Sequence, residues 1–134
     1  MPDNTVSVLN SAKLVGFVPI TDPQRARAFY QGLLGLEFIS DDQFALVFRS
    51  GTNTLRLVKS KSVTPAAYTI AGWEVAGIEQ AVRNLIARGV EFEKYPWVKD
   101  EAGLGIWTAP GGDKVAWFKD PDGNVLSVSE HKTG

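Results

Sequence analysis

A short pattern that occurs twice constrains this chain most: Gly35-Leu-Glu-Phe38 recurs as Gly89-Val-Glu-Phe92, each time directly after a stretch with helical spacing. A local pattern repeated once behind the same kind of element points to two copies of one supersecondary unit, since a solenoid needs at least three repeats to bury its faces. In the first copy, residues 14–20 (Leu-Val-Gly-Phe-Val-Pro-Ile) read as a buried-type strand. Asp22 is a good N-cap and Pro23 suits the first helical position. Ala26, Phe29, Tyr30, Leu33 and Leu34 then follow helical spacing, and Gly35 is the expected stop. Strands are expected over residues 36–40, 44–49 and 54–59, so the unit reads strand, helix, three strands.

Residues 60–67 (Ser-Lys-Ser-Val-Thr-Pro-Ala-Ala) are a linker by composition, and the same order follows them. A strand is expected over 68–75, then a helix over 77–88 with Ile78, Ala81, Val82, Leu85 and Ile86 on one face, closed by Gly89. Further strands are expected at 90–95 and near 104–108, with a loop over 97–102 between them and a Pro110-Gly-Gly112 turn after them. The last hairpin joins Lys114-Val-Ala-Trp-Phe118 to residues 125–130 through Asp120-Pro-Asp-Gly123, where Pro121 presets φ, Asp120 and Asp122 bond nearby N–H groups and Gly123 tolerates φ > 0. The fold class is therefore α+β, built from two tandem βαβββ units. Residues 13–131 form one domain, with repeat one at about 13–59 and repeat two at about 68–131, and residues 1–12 read as a flexible N-terminal arm.

Charge and composition remove several classes of function. Lys and Arg number 14 against 15 Asp and Glu, with no block of like charge, so neither a nucleic-acid footprint nor a polybasic membrane anchor is expected. The longest uncharged run, residues 62–73, is too short to span a bilayer, and the N-terminus lacks the regions of a signal peptide, which suggests a cytoplasmic protein. With no cysteine there is no disulfide, thiolate metal site or Cys nucleophile. Phosphate-binding loops, dinucleotide fingerprints and nucleophile elbows are also missing, and His131 is the single histidine. A small-molecule partner is the remaining expectation.

Thr21-Asp-Pro23, Ala28-Phe-Tyr30 and Leu33-Leu-Gly-Leu-Glu-Phe38, together with Phe118-Lys-Asp-Pro-Asp-Gly-Asn124, resemble the paired signatures of the vicinal oxygen chelate superfamily, which contains glyoxalase I, bleomycin-resistance proteins and extradiol dioxygenases. The resemblance implies that the two units curl into a cup-shaped mixed sheet with helices on the outer face, and that the protein is a homodimer. It also implies, for the enzymes, a divalent metal held by His or carboxylate side chains on the first and last strand of each unit. Motif register places those positions at Val15, Arg56, Ile70 and Ser127. A divalent ion needs several deprotonated N or O donors at about 2.0–2.6 Å, and Val, Arg and Ile supply none. No metal and no cofactor is therefore expected. Glu130 shares parity with Leu126 and Val128 and should face the helices, whereas His131 shares the parity of Ser127 and is either an exposed strand end or a ligand or base.

In this register the cup face presents Val15, Phe17 and Pro19; Thr54, Arg56 and Val58; Ile70, Gly72 and Glu74; and Val125, Ser127 and Ser129. Phe17, Arg56, Ile70, Glu74, Ser127 and Ser129 are candidate ligand-binding residues, joined by Trp107, which with Trp97 flanks the loop over 98–105. The guanidinium of Arg56 needs a partner, either Glu74 or the carboxylate or phosphate of a ligand. Trp73 has helix-face parity and should pack in the core, and one of Trp117 and Phe118 must face the cup. No catalytic residue stands out. The reading is a metal-free protein of the bleomycin-resistance type that captures a small organic ligand, anionic if Arg56 meets it. Two other classes stay open: a metal-dependent lyase, isomerase or dioxygenase with non-standard ligands, and a protein-interaction module with a filled cup. A metal-free enzyme using Glu74 as base is a further form of the enzymatic reading.

Overall fold

The computed structural model describes residues 8–100 and 102–132. Residues 1–7 of the expected arm lie outside the described residues, and Leu9–Ser11 make a single 3-10 turn. The first unit holds β1 (Val15–Ile20), α1 (Pro23–Arg27), β2 (Glu37–Asp41), β3 (Ala45–Ser50) and β4 (Asn53–Lys59). The second holds β5 (Ala71–Glu74), α2 (Ile78–Arg88), β6 (Trp107–Thr108), β7 (Lys114–Lys119) and β8 (Val125–Glu130). Each unit forms an open four-stranded mixed sheet, in the orders β1-β4-β3-β2 and β5-β8-β7-β6, with the first strand parallel to the last. The duplication expected from the glycine-led pattern is thus visible in the strand order itself.

Both helices begin as their sequences dictate. Asp22 caps α1 by accepting from the Arg25 N–H, with Pro23 at the first position. Beyond Arg27 the coil widens, so that Ala28–Leu33 form a π-type turn and the Leu34 N–H reaches the Phe29 carbonyl. The widened turn lets the adjacent Phe29 and Tyr30 both point inward, at 8% and 0% exposure. Gly77 offers no capping side chain to α2, and Glu130 supplies one from β8 by accepting from the Ile78 N–H at 2.9 Å. Gly89 ends the helix in the left-handed region at φ 111°.

Three expected strands are shorter than their sequence patterns. The first strand of the second unit contracts to Ala71–Glu74, although the Ile70 N–H still donates to the Val125 carbonyl. Residues 90–95 make one isolated bridge, Phe92 to Phe118, and residues 104–108 pair only at Trp107–Thr108. The last two segments share one edge: Phe92 takes the Phe118 end of β7, and β6 takes the Lys114–Val115 end. Neither has room to extend.

Alternation along the strands decides which face is covered. Val18, Ile20, Leu55 and Leu57 in one sheet, and Ala116, Phe118, Leu126 and Val128 in the other, join Ala26, Tyr30, Ile78 and Val82 from the helical segments in one buried cluster. Opposite parity is open on β1, with Val15 at 41% and Phe17 at 62% exposure, but closed on the inner strands, where Val47, Val125 and Ser127 are buried. The two units are fastened by the last hairpin turn. The Tyr30 hydroxyl donates to Asp120 Oδ2 at 2.7 Å, and the Asn124 side chain bridges Asp120 and the Pro19 carbonyl at 2.9 and 2.8 Å. Thr21 completes the junction through its N–H and hydroxyl, both given to the Asp122 carboxylate. No helix among the described residues is long and apolar enough to cross a membrane.

Candidate functional site

The sheet faces that the core does not use carry the candidate residues. In the first sheet, Phe17 pairs in register with Arg56, and Arg56 with Val47. Arg56 does not reach Glu74. Its Nη2 donates instead to Asp42 Oδ2 at 3.0 Å, so its protein partner is Asp42 and not the expected Glu74. The reason is local. Asp42 turns the chain between β2 and β3, where its Oδ1 accepts from the Phe44 and Ala45 N–H groups at 2.8 Å, leaving Oδ2 aimed across β3 at the β4 guanidinium. Those two N–H groups, with Arg56 behind them, hold the Asp42 carboxyl below its usual range. Glu74 stands exposed on the other sheet, at the end of β5, and has no ion-pair partner among the described residues. Because the Arg56–Asp42 pair is still partly open to solvent, Arg56→Ala should cost no more than about 1 kcal/mol in a melting experiment. A marked loss would make the pair a structural brace.

In the second sheet, Gly72 pairs with Ser127 and Ser127 with Trp117, while Glu74 pairs with Ser129, Ser129 with Val115 and Val115 with Trp107. Register therefore puts Trp117 on this face and Phe118 in the core. Gly72 is required by closeness: a Cβ there would lie 2.5 Å from Ser127 Oγ and 3.3 Å from its carbonyl oxygen. Ser127 is buried, and the Ser129 hydroxyl lies 2.9 Å from His131 Nε2. Ile70 precedes β5, keeps a backbone bond to Val125, and is partly buried against the core cluster. Trp73 packs against the core as its parity predicts, and its indole N–H donates to Ser50 Oγ at 2.9 Å, a second link between the units.

Sequence reasoning singled out Trp97 and Trp107 but missed the aromatic quartet they form with Tyr95 and Trp117. Tyr95 stacks on Trp97 with centroids 5.4 Å apart, and Trp97 meets Trp107 and Trp117 edge-on at 5.9 and 5.7 Å. Trp107 and Trp117 lie 6.1 Å apart, and the Trp117 N–H is anchored on Thr69 Oγ1 at 3.0 Å. Trp97 remains 60% exposed. Together with Trp107 it walls a cleft of about 530 Å³, whose other borders include Ile78, Lys99, Lys114 and Glu130. Of the three carboxylates of this cleft, Glu130 is engaged with the Ile78 N–H, Asp100 with the Leu104 and Gly105 N–H groups at 2.8 and 2.9 Å, and Glu79 with the Arg83 guanidinium at 3.1 Å. Burial alone would raise Asp100, but the Gly105 N–H and the Lys94 ammonium outweigh it and hold the carboxyl low. A planar apolar molecule can stack here, and Lys114 can meet a negative group on it.

A divalent metal does not fit the four positions singled out by the resemblance. Val15 and Ile70 carry no donor, Arg56 is a cation paired with Asp42, and Ser127 has only a hydroxyl. Nor do three or more His, Asp or Glu side chains among the described residues gather as metal ligands.

The family model for the Glyoxalase/Bleomycin resistance protein/Dioxygenase superfamily matches residues 12–128. Among curated proteins, none matches the chain significantly. Solved structures share the fold at low identity. A superfamily member from Sphaerobacter thermophilus is 23% identical, with TM-score 0.71 over 92% of this chain and 100% of its own. A glyoxalase family protein from Bacillus anthracis is 20% identical, with TM-score 0.69 over 91% and 96%. A lactoylglutathione lyase from Agrobacterium tumefaciens is 18% identical, with TM-score 0.67 over 90% and 93%.

Proposed function

Because the chain belongs to the glyoxalase/bleomycin resistance protein/dioxygenase superfamily, whose members bind small molecules, we propose that it captures a small planar organic ligand, without a metal, on its aromatic wall. The observation that carries this reading is the quartet of Tyr95, Trp97, Trp107 and Trp117 beside an open cleft. Exposed indole that is already held edge-on by its neighbours loses little freedom when a ring stacks on it. Lys114 makes an anionic ligand the better fit, since the three carboxylates of the cleft, Glu79, Asp100 and Glu130, are engaged with Arg83 or with backbone N–H groups. The metal-free part rests on the donor chemistry at Val15, Arg56, Ile70 and Ser127. Of the residues expected from sequence, Trp107 takes the ligand, while Arg56 is already paired with Asp42. The bare Val15 and Phe17 favour a second copy of the chain over that face, which sedimentation would register as a dimer.

Tryptophan fluorescence and thermal shift against aryl carboxylates and neutral naphthalenes test the reading. Aryl carboxylates should quench and stabilise the wild type, and Trp97→Ala should weaken them about tenfold, or ~1.4 kcal/mol. Lys114→Ala should erase the preference for the anionic series. Equal binding by Trp97→Ala and wild type would place the ligand elsewhere, and a stoichiometric metal in the purified protein would sink the metal-free part.

A further inference from the structure

At the end of β8, outside the ligand reading above, three side chains form a hydrogen-bonded line. Ser129 Oγ lies 2.9 Å from His131 Nε2, and His131 Nδ1 lies 3.2 Å from Asp113 Oδ2. A carboxylate only accepts, so Asp113 places the imidazole proton on Nδ1 and leaves Nε2 free to take the hydroxyl proton of Ser129. Asp113 is itself fixed, since its Oδ1 accepts from the Lys132 N–H at 2.7 Å. That N–H and the His131 side chain hold its carboxyl below the usual range. The three residues come from two neighbouring segments: Ser129 and His131 sit two apart at the end of β8, and Asp113 precedes β7, whose Lys114 pairs with Glu130. Two further charged groups border the line: Glu74 pairs in register with Ser129, and the Lys132 side chain lies over Gly112.

We propose that Ser129 is a nucleophile, activated by His131 and oriented through Asp113, which accepts acyl groups from activated esters. Its order of contacts is that of a hydroxyl, a base and a carboxylate that sets the tautomer of the base. In the first step His131 Nε2 takes the hydroxyl proton as Ser129 Oγ bonds to the acyl carbon. The carbon–oxygen bond of the ester then breaks, and the departing aryloxide receives that proton. Water attacks the acyl-serine next, passing its proton through Nε2 back to Oγ and releasing a carboxylic acid. Substrate scope follows from what surrounds the hydroxyl. β8 is an inner strand with ladders on both sides, so its N–H groups are engaged and build no oxyanion cradle around Ser129. Only esters with good leaving groups, such as aryl esters, should react at useful rates.

A fluorophosphonate probe tests this directly, because it needs an activated hydroxyl and no binding in the aromatic cleft, so its failure leaves the capture reading standing. The labelled peptide should carry the adduct on Ser129, and Ser129→Ala should abolish it. Asp113→Asn and His131→Gln, both at exposed positions, should slow labelling and release of p-nitrophenol from p-nitrophenyl acetate on the order of 100-fold, the usual scale of a lost general base. Labelling spread over other serines, or a His131→Gln variant that reacts as fast as wild type, would overturn the proposal.

Discussion

Asp120→Ala should cost the fold about 4 kcal/mol, because several buried donors converge on this one carboxylate and each unsatisfied donor costs roughly 1–3 kcal/mol. Asp120 is 5% exposed. Its Oδ1 accepts from the Asp122 and Asn124 N–H groups, both at 2.9 Å, and its Oδ2 from Tyr30 Oη and Asn124 Nδ2. Alanine leaves the two N–H groups and the Tyr30 hydroxyl without this acceptor, and Asn124 Nδ2 with only the Pro19 carbonyl, in a place water hardly reaches. Burial and the neighbouring carboxylate push the ionisation of the Tyr30 hydroxyl well above its ordinary range, so it stays a donor at any working pH. Tyr30→Phe removes only one contact and should cost about 2 kcal/mol, the scale of a hydrogen bond to a charged group. Thermal and urea unfolding of both variants check the ranking. A loss for Asp120→Ala no larger than that for Tyr30→Phe would show that the turn is not the hub the contacts indicate.

Phe118→Ala should be comparably severe, at about 3–5 kcal/mol, the usual cost of emptying a buried phenyl site. Phe118 is fully buried and lies 6.3 Å from Phe29 and 5.3 Å from Phe92, centroid to centroid. Its ring sits in the one buried cluster with Leu126 and Val128 of β8. Its removal therefore loosens the helical segment after α1, the β7–β8 hairpin and the 90–95 segment together. Phe118→Leu keeps most of the volume and should recover at least half of the loss in urea denaturation. A Phe118→Ala penalty below about 1.5 kcal/mol would mean that the site collapses around the missing ring.

Where burial and period act together, the sequence was sufficient. Leu55 and Leu57, with Leu126 and Val128, settle the strand register because a slip by one residue would turn them to solvent. The same parity argument places Trp73 inward and the Arg56 side chain outward. What escaped sequence reasoning depends on distances across the fold. Asp42 reads as an ordinary turn former, and one of its oxygens does cap two N–H groups; only the placement of β4 beside β3 gives the other to Arg56. Tyr95, Trp97, Trp107 and Trp117 follow no period, and they meet because a shared edge on β7 brings residues 92 and 107 to the same strand. Asp113 follows the Pro110-Gly-Gly112 turn and carries no signal of its own; the Lys114–Glu130 pairing is what carries it to His131. The strand expected over residues 68–75 is shorter because Tyr68 and Thr69 lie before the first residue that bonds to β8.

The Asp120 junction also bears on how the duplicated chain holds together. Tyr30, Pro19 and Thr21 belong to the first unit, while Asp120, Asp122 and Asn124 belong to the second, so these contacts pass between the halves without using the connection over residues 60–70. A chain cut within that connection would keep both fragments in place, each serving as the missing wall of the other. An open linker would equally let the halves of two copies trade places, with the same carboxylate, hydroxyl and amide closing the seam between strangers.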